Sequence, residues 1–186
     1  NDSTQLKEIF KKIFPEFIYL NRLARLKKIY NYSNLNRDIL LAILLIDEKD
    51  NHEYFLHKYN AGNKIKESLK KFSSNLNEIK KDKNFLERDL IKNLYIYGKD
   101  HLIALNLIYF SINPKVKSQD FSKLLSKIFK SNIPKFYIDG EYLKKYGMKE
   151  GKTLGKVLEI IEKEWMKNSF RISEDKIKEI IKIYSN

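Results

Sequence analysis

Residues 64–81 read KIKESLKKFSSNLNEIKK, and this stretch determines the predicted fold class. The apolar residues that share one helical face recur every three or four positions: Ile65, Leu69, Phe72, Leu76 and Ile79. Lysines occupy the remaining faces, as is typical of a solvated helix surface. Similar spacing continues along most of the chain, and no alternating segment is longer than Phe136–Ile138. The sequence therefore predicts an all-α protein, a bundle or array of about nine to eleven helices.

Helix ends are predicted from polar residues and glycines that flank the apolar segments. Four polar residues are predicted N-caps: Asn36, Asp100, Ser118 and Ser173. The helix after Asn36, Arg37–Asp47, is apolar nearly all round and is expected to be central. Gly98 is expected to end a helix that begins near Phe85.

Composition favours an anionic partner and excludes several kinds of site. Lys and Arg number 37 against 24 Asp and Glu, a formal charge of +13, which favours nucleic acid or an anionic membrane surface. Few of the basic residues are Arg, so phosphate contacts are favoured over the reading of bases. The absence of Cys excludes disulfides, iron–sulfur clusters and thiolate zinc sites. His52 and His57 do not share a helical face, so we expect them to be solvated and predict no metal site and no catalytic residue.

The hydropathy pattern predicts no membrane-spanning helix. The longest apolar run, Ile39–Ile46, has 8 residues, far below the roughly 20 that a bilayer requires. No signal-peptide pattern opens the sequence. We therefore expect a cytoplasmic protein with no membrane partner.

Two helical regions are predicted, a body over residues 1–112 and a tail over residues 113–186. The boundary is placed at Asn113-Pro114, where the residue before proline disfavours a helix. The tail holds most of the glycines, at positions 140, 147, 151 and 155. Such a cluster predicts a helix–loop–helix whose backbone turns tightly or approaches a ligand closely. Trp165 lies on the apolar stripe of the helix that follows and is expected to pack in the core.

The glycine segment is the candidate RNA-binding site. Residues 147–153 read GMKEGKT, which differs from a phosphate-binding P-loop because three residues, and not four, separate the glycines. The N–H groups that open the next helix attract anions, and lysines surround them. The residues predicted to contact RNA are Lys135, Tyr142, Lys144, Lys145, Tyr146, Lys149, Gly151, Lys152, Thr153, Gly155 and Lys156. The alternative is that the glycines only permit a tight turn and close packing against Trp165.

The same segment carries a family resemblance. Residues 133–143, IPKFYIDGEYL, followed by Gly147, Gly151, Leu154-Gly155, Leu158 and Trp165, resemble the C-terminal signature of bacterial CCA-adding tRNA nucleotidyltransferases and their poly(A) polymerase relatives. Phe14-Pro15-Glu16 and residues 36–42, NRDILLA, look like the helices of that family's body. Glu141 stands where aspartate is usual in the family.

The resemblance implies a function and also shows what this chain lacks. The family's catalytic head carries a Gly-Gly pair and an Asp-x-Asp pair, and neither occurs here. The resemblance thus implies the tRNA-binding body and tail, which hold the acceptor stem and T-arm while the protein's own N-terminal catalytic domain adds nucleotides. Mg²⁺ and ATP or CTP are then expected only in that missing head, and no cofactor is expected in this chain. The alternatives are a generic helical RNA- or DNA-binding module and a non-catalytic helical adaptor.

Overall fold

The computed structural model describes residues 8–9, 11–30 and 35–184, and helices account for nearly all of their regular structure. The helices bounded within these ranges are α1 (Leu20–Lys27), α2 (Arg37–Leu45), α3 (Asn51–Lys58), α4 (Asn63–Lys81), α5 (Phe85–Arg88), α6 (Leu90–Tyr97), α7 (Lys99–Ile112), α8 (Ser118–Lys130), α9 (Gly140–Lys145), α10 (Lys152–Lys167) and α11 (Glu174–Tyr184). The described ranges contain no β-strand. The predicted all-α class is confirmed.

The chain forms two compact units, the first ending at Ser131 and the second beginning at Asn132. The sequence placed the boundary earlier, at Asn113-Pro114, and assigned the residues of α8 to the tail. In the structure α8 packs on α7 and belongs to the first unit. Its apolar face explains this position, because Phe121 is buried with its ring centroid 5.0 Å from that of Phe110 on α7.

Helix α7 lies at the centre of the first unit. It packs against α1, α2, α4, α6 and α8. Leu102, Leu105 and Ile108 on α7 are fully buried, whereas the burial of α2 is concentrated in its last turn, at residues 42–45. The sequence expected α2 to be central, and α2 is the less enclosed of the two helices because its first turn is partly solvated.

Two of the four predicted N-caps are confirmed and two are wrong. The Asn36 side chain accepts a hydrogen bond from the Asp38 N–H at 2.9 Å, and Ser173 Oγ accepts one from the Lys176 N–H at 3.3 Å. Asp100 lies inside the first turn of α7, and Ser118 is the first helical residue of α8, after Lys117.

Gly98 explains the error at Asp100. Its N–H donates to the Leu94 carbonyl at 2.9 Å, and its own carbonyl accepts from the Leu102 N–H at 3.3 Å, so this glycine ends α6 and begins α7. Its φ of +83° is one that glycine adopts without steric cost. The next helix therefore starts before the chain reaches Asp100.

Two arginines of α1 hold the C-terminal ends of other helices. The last carbonyls of a helix have no partner within it, and guanidinium groups supply the missing donors. Arg22 donates to the carbonyl of Ile43 in the last turn of α2 and to that of Ile46 just after it, at 2.9 and 2.8 Å. Arg25 donates to the carbonyls of Asn113 and Val116 after the end of α7, and its guanidinium carbon lies 4.1 Å from the centroid of the Phe110 ring.

We predict that Arg25→Ala lowers the free energy of unfolding by about 3 kcal/mol, because two carbonyls lose a charged donor and a ring loses its cation. The control is Arg37→Ala, whose side chain is 71% exposed and pairs only with the adjacent Asp38. It should change stability by less than about 0.5 kcal/mol. Urea unfolding followed by far-ultraviolet circular dichroism measures both values, and equal midpoints for the two variants would contradict the prediction.

His101 lies in an apolar setting between α4 and α6. Its ring stacks on Phe72 with centroids 4.9 Å apart, and its Nε2 lies 2.8 Å from the Asn75 Oδ1. Burial, assisted by the nearby Lys71 charge, lowers the pKa of His101 from 6.5 to about 4. The ring is therefore neutral in the folded protein at pH 5, where it is charged in the unfolded chain.

Since the unfolded chain binds the extra proton below pH 6.5 and the folded chain only below about 4, stability should fall as the pH is lowered through that interval. We expect a loss of about 1 kcal/mol between pH 7 and pH 5, a value reduced to allow for solvent screening of the partly exposed ring. His101→Gln should flatten this part of the stability curve. Parallel pH curves for the two proteins would rule out His101 as the cause.

The second unit is built from α9, α10 and α11 around its own core. Leu143, Val157, Ile161 and Ile177 are almost completely buried there. Trp165 is buried as predicted, with its ring 5.1 Å from Phe136 and 4.9 Å from Phe170 between centroids. Apolar packing thus fixes α10, whose N-terminal end carries most of the predicted site.

Candidate nucleic-acid interface

Hydrogen bonds fix both ends of α9, and the burial of Met148 holds the loop that follows it. Asp139 caps α9 by accepting a hydrogen bond from the Tyr142 N–H at 2.8 Å. At the other end of α9, the Gly147 N–H donates to the Lys144 carbonyl at 2.9 Å, and the side chain of Met148 is buried in the core of the second unit. The glycine segment is therefore a fixed turn.

Gly151 begins α10 in a conformation that other residues avoid. Its φ is +146° and its ψ −171°, a region populated almost only by glycine. No side chain caps the helix, and its first turn contains no acidic residue. The first N–H groups of α10 therefore face solvent without an intrahelical partner, and the positive end of the helix dipole favours an anion there.

The lysines predicted to contact RNA differ in whether they form ion pairs within the protein. Lys135, Lys145, Lys149 and Lys152 are exposed and form no ion pair within the described residues. Lys144 is different, because its Nζ lies 2.9 Å from Glu141 and 3.5 Å from Glu150. The hydrogen bond and charge of Glu141, with a further contribution from Glu150, raise the pKa of Lys144. The positive charge of Lys144 is thus partly neutralised by the two glutamates.

Thr153 lies in the first turn of α10 and Lys156 just after it, and both are exposed. The Lys156 Nζ lies 5.6 Å from the centroid of the Tyr184 ring on α11, a cation–π contact that leaves the ammonium group solvated. Together with Lys149 and Lys152, Lys156 supplies positive charge at the start of α10.

The two tyrosines predicted to contact RNA also contact each other. The ring centroids of Tyr142 and Tyr146 are 5.3 Å apart, and both residues are half-buried. The Tyr146 hydroxyl donates to Glu174 Oε1 at 2.8 Å, which links the end of α9 to α11. Hydrogen bonding with Tyr142 and with the Glu174 carboxylate raises the pKa of Tyr146 well above its usual value. The structure thus gives Tyr146 a contact within the protein in addition to its predicted contact with RNA.

The glycines of the segment have different surroundings. A Cβ at Gly140 would lie 3.4 Å from Leu154, so Gly140 allows close packing. A Cβ at Gly155 would meet nothing within 4 Å, and the residue is exposed. Tight packing therefore explains Gly140 but gives no reason for glycine at position 155.

We predict opposite effects of alanine at two of these positions. Gly151→Ala should destabilise the second unit by about 2 kcal/mol, because alanine is strained at this φ and ψ. Gly155→Ala should stabilise it by about 0.5 kcal/mol, because glycine inside a helix costs conformational entropy. Unfolding followed by fluorescence isolates the second unit, since Trp165 is the sole tryptophan of the chain. A change of the same sign in both variants would refute this distinction.

The described residues contain no group of three or more His, Asp or Glu that could hold a metal ion. His57 is exposed as predicted, whereas the prediction for His52 is wrong, because only 2% of His52 is exposed. Its ring lies on the same side of α3 as Phe55 and Leu56, which are buried in the first core. The helical period explains the correction, since positions 52, 55 and 56 share a face.

Most of the net positive charge belongs to the first unit, which is also the longer one. Residues 1–131 contain 25 Lys and Arg against 15 Asp and Glu, whereas residues 132–186 contain 12 against 9. The glycine segment therefore lies in the unit of smaller net charge. No helix within the described ranges combines the length and apolar character needed to cross a bilayer.

Part of the chain is similar to a known tRNA enzyme. Over 62 residues, 33% of the chain, it is 32% identical to CCA tRNA nucleotidyltransferase 1, mitochondrial, of Danio rerio. The match covers 14% of that protein, so the chain spans a small part of its relative. No protein-family model matches the chain, and no solved structure matches it significantly. The similarity supports a relation between the matched part of this chain and a tRNA nucleotidyltransferase.

Proposed function

We propose that this chain is the tRNA-binding C-terminal region of a CCA-adding tRNA nucleotidyltransferase. The observation that carries the proposal is the similarity to the enzyme of Danio rerio. The all-α fold and the charge of +13 agree with a region that grips a polyanion. In this proposal the region holds the acceptor stem and T-arm so that the tRNA 3′ end reaches a separate catalytic domain.

The proposed contacts are electrostatic and follow RNA shape. A-form RNA offers phosphates and 2′-hydroxyls, while its deep major groove hides the base edges from side chains. Lys149 and Lys152 are exposed and free of ion pairs, and they flank the unpaired N–H groups at the start of α10. These groups would bind a backbone phosphate, with Lys145 and Lys135 as further contacts and Gly155 admitting the strand close to the helix.

The catalytic step is assigned to the other domain. Within the described residues no cluster of carboxylates could hold metal ions, and the family's Gly-Gly and Asp-x-Asp pairs are not in this sequence. In the proposal Mg²⁺ and ATP or CTP bind that domain, and the protein acts in the cytoplasm. This chain alone would bind tRNA without extending it.

We predict that Lys149→Ala combined with Lys152→Ala weakens tRNA binding about tenfold at low salt. Each lost phosphate contact should reduce the slope of log K against log salt by about 1. The weakening should be the same for different tRNA sequences, since phosphates carry no sequence information. Fluorescence anisotropy over a series of salt concentrations measures both quantities.

The matched control is Lys163→Ala on the same helix, because the Lys163 Nζ is already paired with Glu159 at 2.5 Å. Control and double variant giving one and the same salt slope would remove the glycine segment from the interface. A competition assay tests the tRNA assignment itself, with an acceptor–T-arm minihelix against duplex DNA of equal length. Preference for the minihelix supports the proposal, equal binding favours a generic nucleic-acid module, and no binding favours an adaptor.

A further inference from the structure

The first unit contains a groove that no part of the proposal above uses. Its volume is about 550 Å³, and it opens where α2, α4 and α7 end, beside the start of α1. Ligand sites commonly occupy about 300–1,000 Å³. We propose that this groove binds a nucleoside phosphate, either a free nucleotide or one nucleotide of a single strand. The inference does not rest on the glycine segment, which belongs to the second unit.

The floor of the groove is rigid and its polar groups are already satisfied. The Tyr19 hydroxyl donates to Asp47 Oδ2 at 3.0 Å, and the Arg22 guanidinium carbon lies 3.6 Å from the Tyr19 ring centroid. Asp47 Oδ1 accepts hydrogen bonds from the N–H groups of Lys49 and Asn51, at 2.9 and 3.1 Å. Burial alone would raise the pKa of Asp47, but these donors hold the pKa below its usual value. The Asp47 carboxylate is thus held in place by hydrogen bonds within the protein.

Three helix C-termini would normally make this place unfavourable for an anion, because each carries partial negative charge. Here two arginines counter that charge. Arg22 binds the carbonyl of Ile43 in the last turn of α2 and that of Ile46 just after it, and Arg25 binds those of Asn113 and Val116 after α7. The two guanidinium groups thus place positive charge at two of the three helix ends and occupy four carbonyl acceptors there.

The rim of the groove carries cations without partners. Lys49, Lys83 and Lys115 line it and form no ion pair within the described residues, whereas Lys80 is paired with Glu48 at 3.2 Å. The lining contains five Lys and Arg against two acidic residues. Because the unpaired ammonium groups belong to three separate segments around the opening, a phosphate can contact more than one of them.

The walls of the groove suit the base of a nucleoside phosphate. Ile46, Ile79 and Ile112 line them together with the half-buried ring of Tyr109. The Tyr109 hydroxyl accepts a hydrogen bond from the Asn113 side chain at 3.0 Å, which fixes the ring. Ile46 and Ile79 are buried, so the Tyr109 ring is the surface on which a base would stack, and aromatic rings stack on any base. The groove therefore fits a ligand whose phosphate lies at the rim and whose base lies against the wall.

The test uses the whole chain and a fluorescein-labelled oligoadenylate of about six nucleotides, at near-physiological salt. Lys83→Ala combined with Lys115→Ala removes two rim cations and should weaken binding about tenfold. Tyr109→Leu changes no charge and keeps an apolar side chain but removes the stacking ring, so it should weaken binding by a similar factor. Circular dichroism verifies that the variants are folded.

The matched control is Lys64→Ala combined with Lys92→Ala, which removes the same charge from exposed residues that do not line the groove. Lys64 is on α4 like Lys80 but about 24 Å along the helix from it. The control should weaken binding by less than about twofold, since neither residue reaches a ligand in the groove.

Competitors distinguish the two sources of the ligand. Displacement of the oligoadenylate by AMP supports a free nucleotide, while binding that depends on Tyr109 and resists AMP supports a single strand. Unchanged binding by Tyr109→Leu would overturn the proposal, and so would equal weakening by the control. Displacement by inorganic phosphate as readily as by AMP would overturn it too, because the base would then contribute nothing.

Discussion

The guanidinium groups of Arg22 and Arg25 join one helix to the ends of two others. They donate to carbonyls at the C-terminal end of α2 and after α7, which would otherwise be left without these partners. Because α7 packs against five other helices, the position of its C-terminal end constrains the whole first unit. The same contacts place two positive charges near the helix ends beside the groove. One helix of eight residues thus supports both the packing and the electrostatics of this unit.

Apolar spacing made the fold class predictable, whereas several local details depended on competition between neighbouring residues. The seam on α4 could be predicted because Leu69, Phe72, Leu76 and Ile79 repeat with the helical period, and all four are buried. The start of α7 could not be predicted from Asp100, because Gly98 had already begun the helix. His52 was predicted to be solvated because histidine is polar, but the residue lies on a buried face of α3.

The candidate sites show a similar division. The glycine segment is contiguous, so its turn and its lysines could be found in the sequence, but the pairing of Lys144 with two glutamates could not. The contact of Tyr146 with Glu174 joins residues far apart in the chain, and only folding brings them together. The groove is an extreme case, since Tyr19, Lys49, Lys83 and Lys115 share no motif. The spacing of residues in the sequence indicates which of them share a face of one helix. It does not indicate which residues of different helices come together in a site.

The single residue between α6 and α7 limits how this chain can vary. Gly98 is the entire connection, so the direction of α7 relative to α6 depends on one φ and ψ pair. An inserted residue that continued α7 would rotate its faces by roughly 100° and turn Leu105 and Ile108 away from the positions they fill. Insertions and deletions at Gly98 should therefore be rejected.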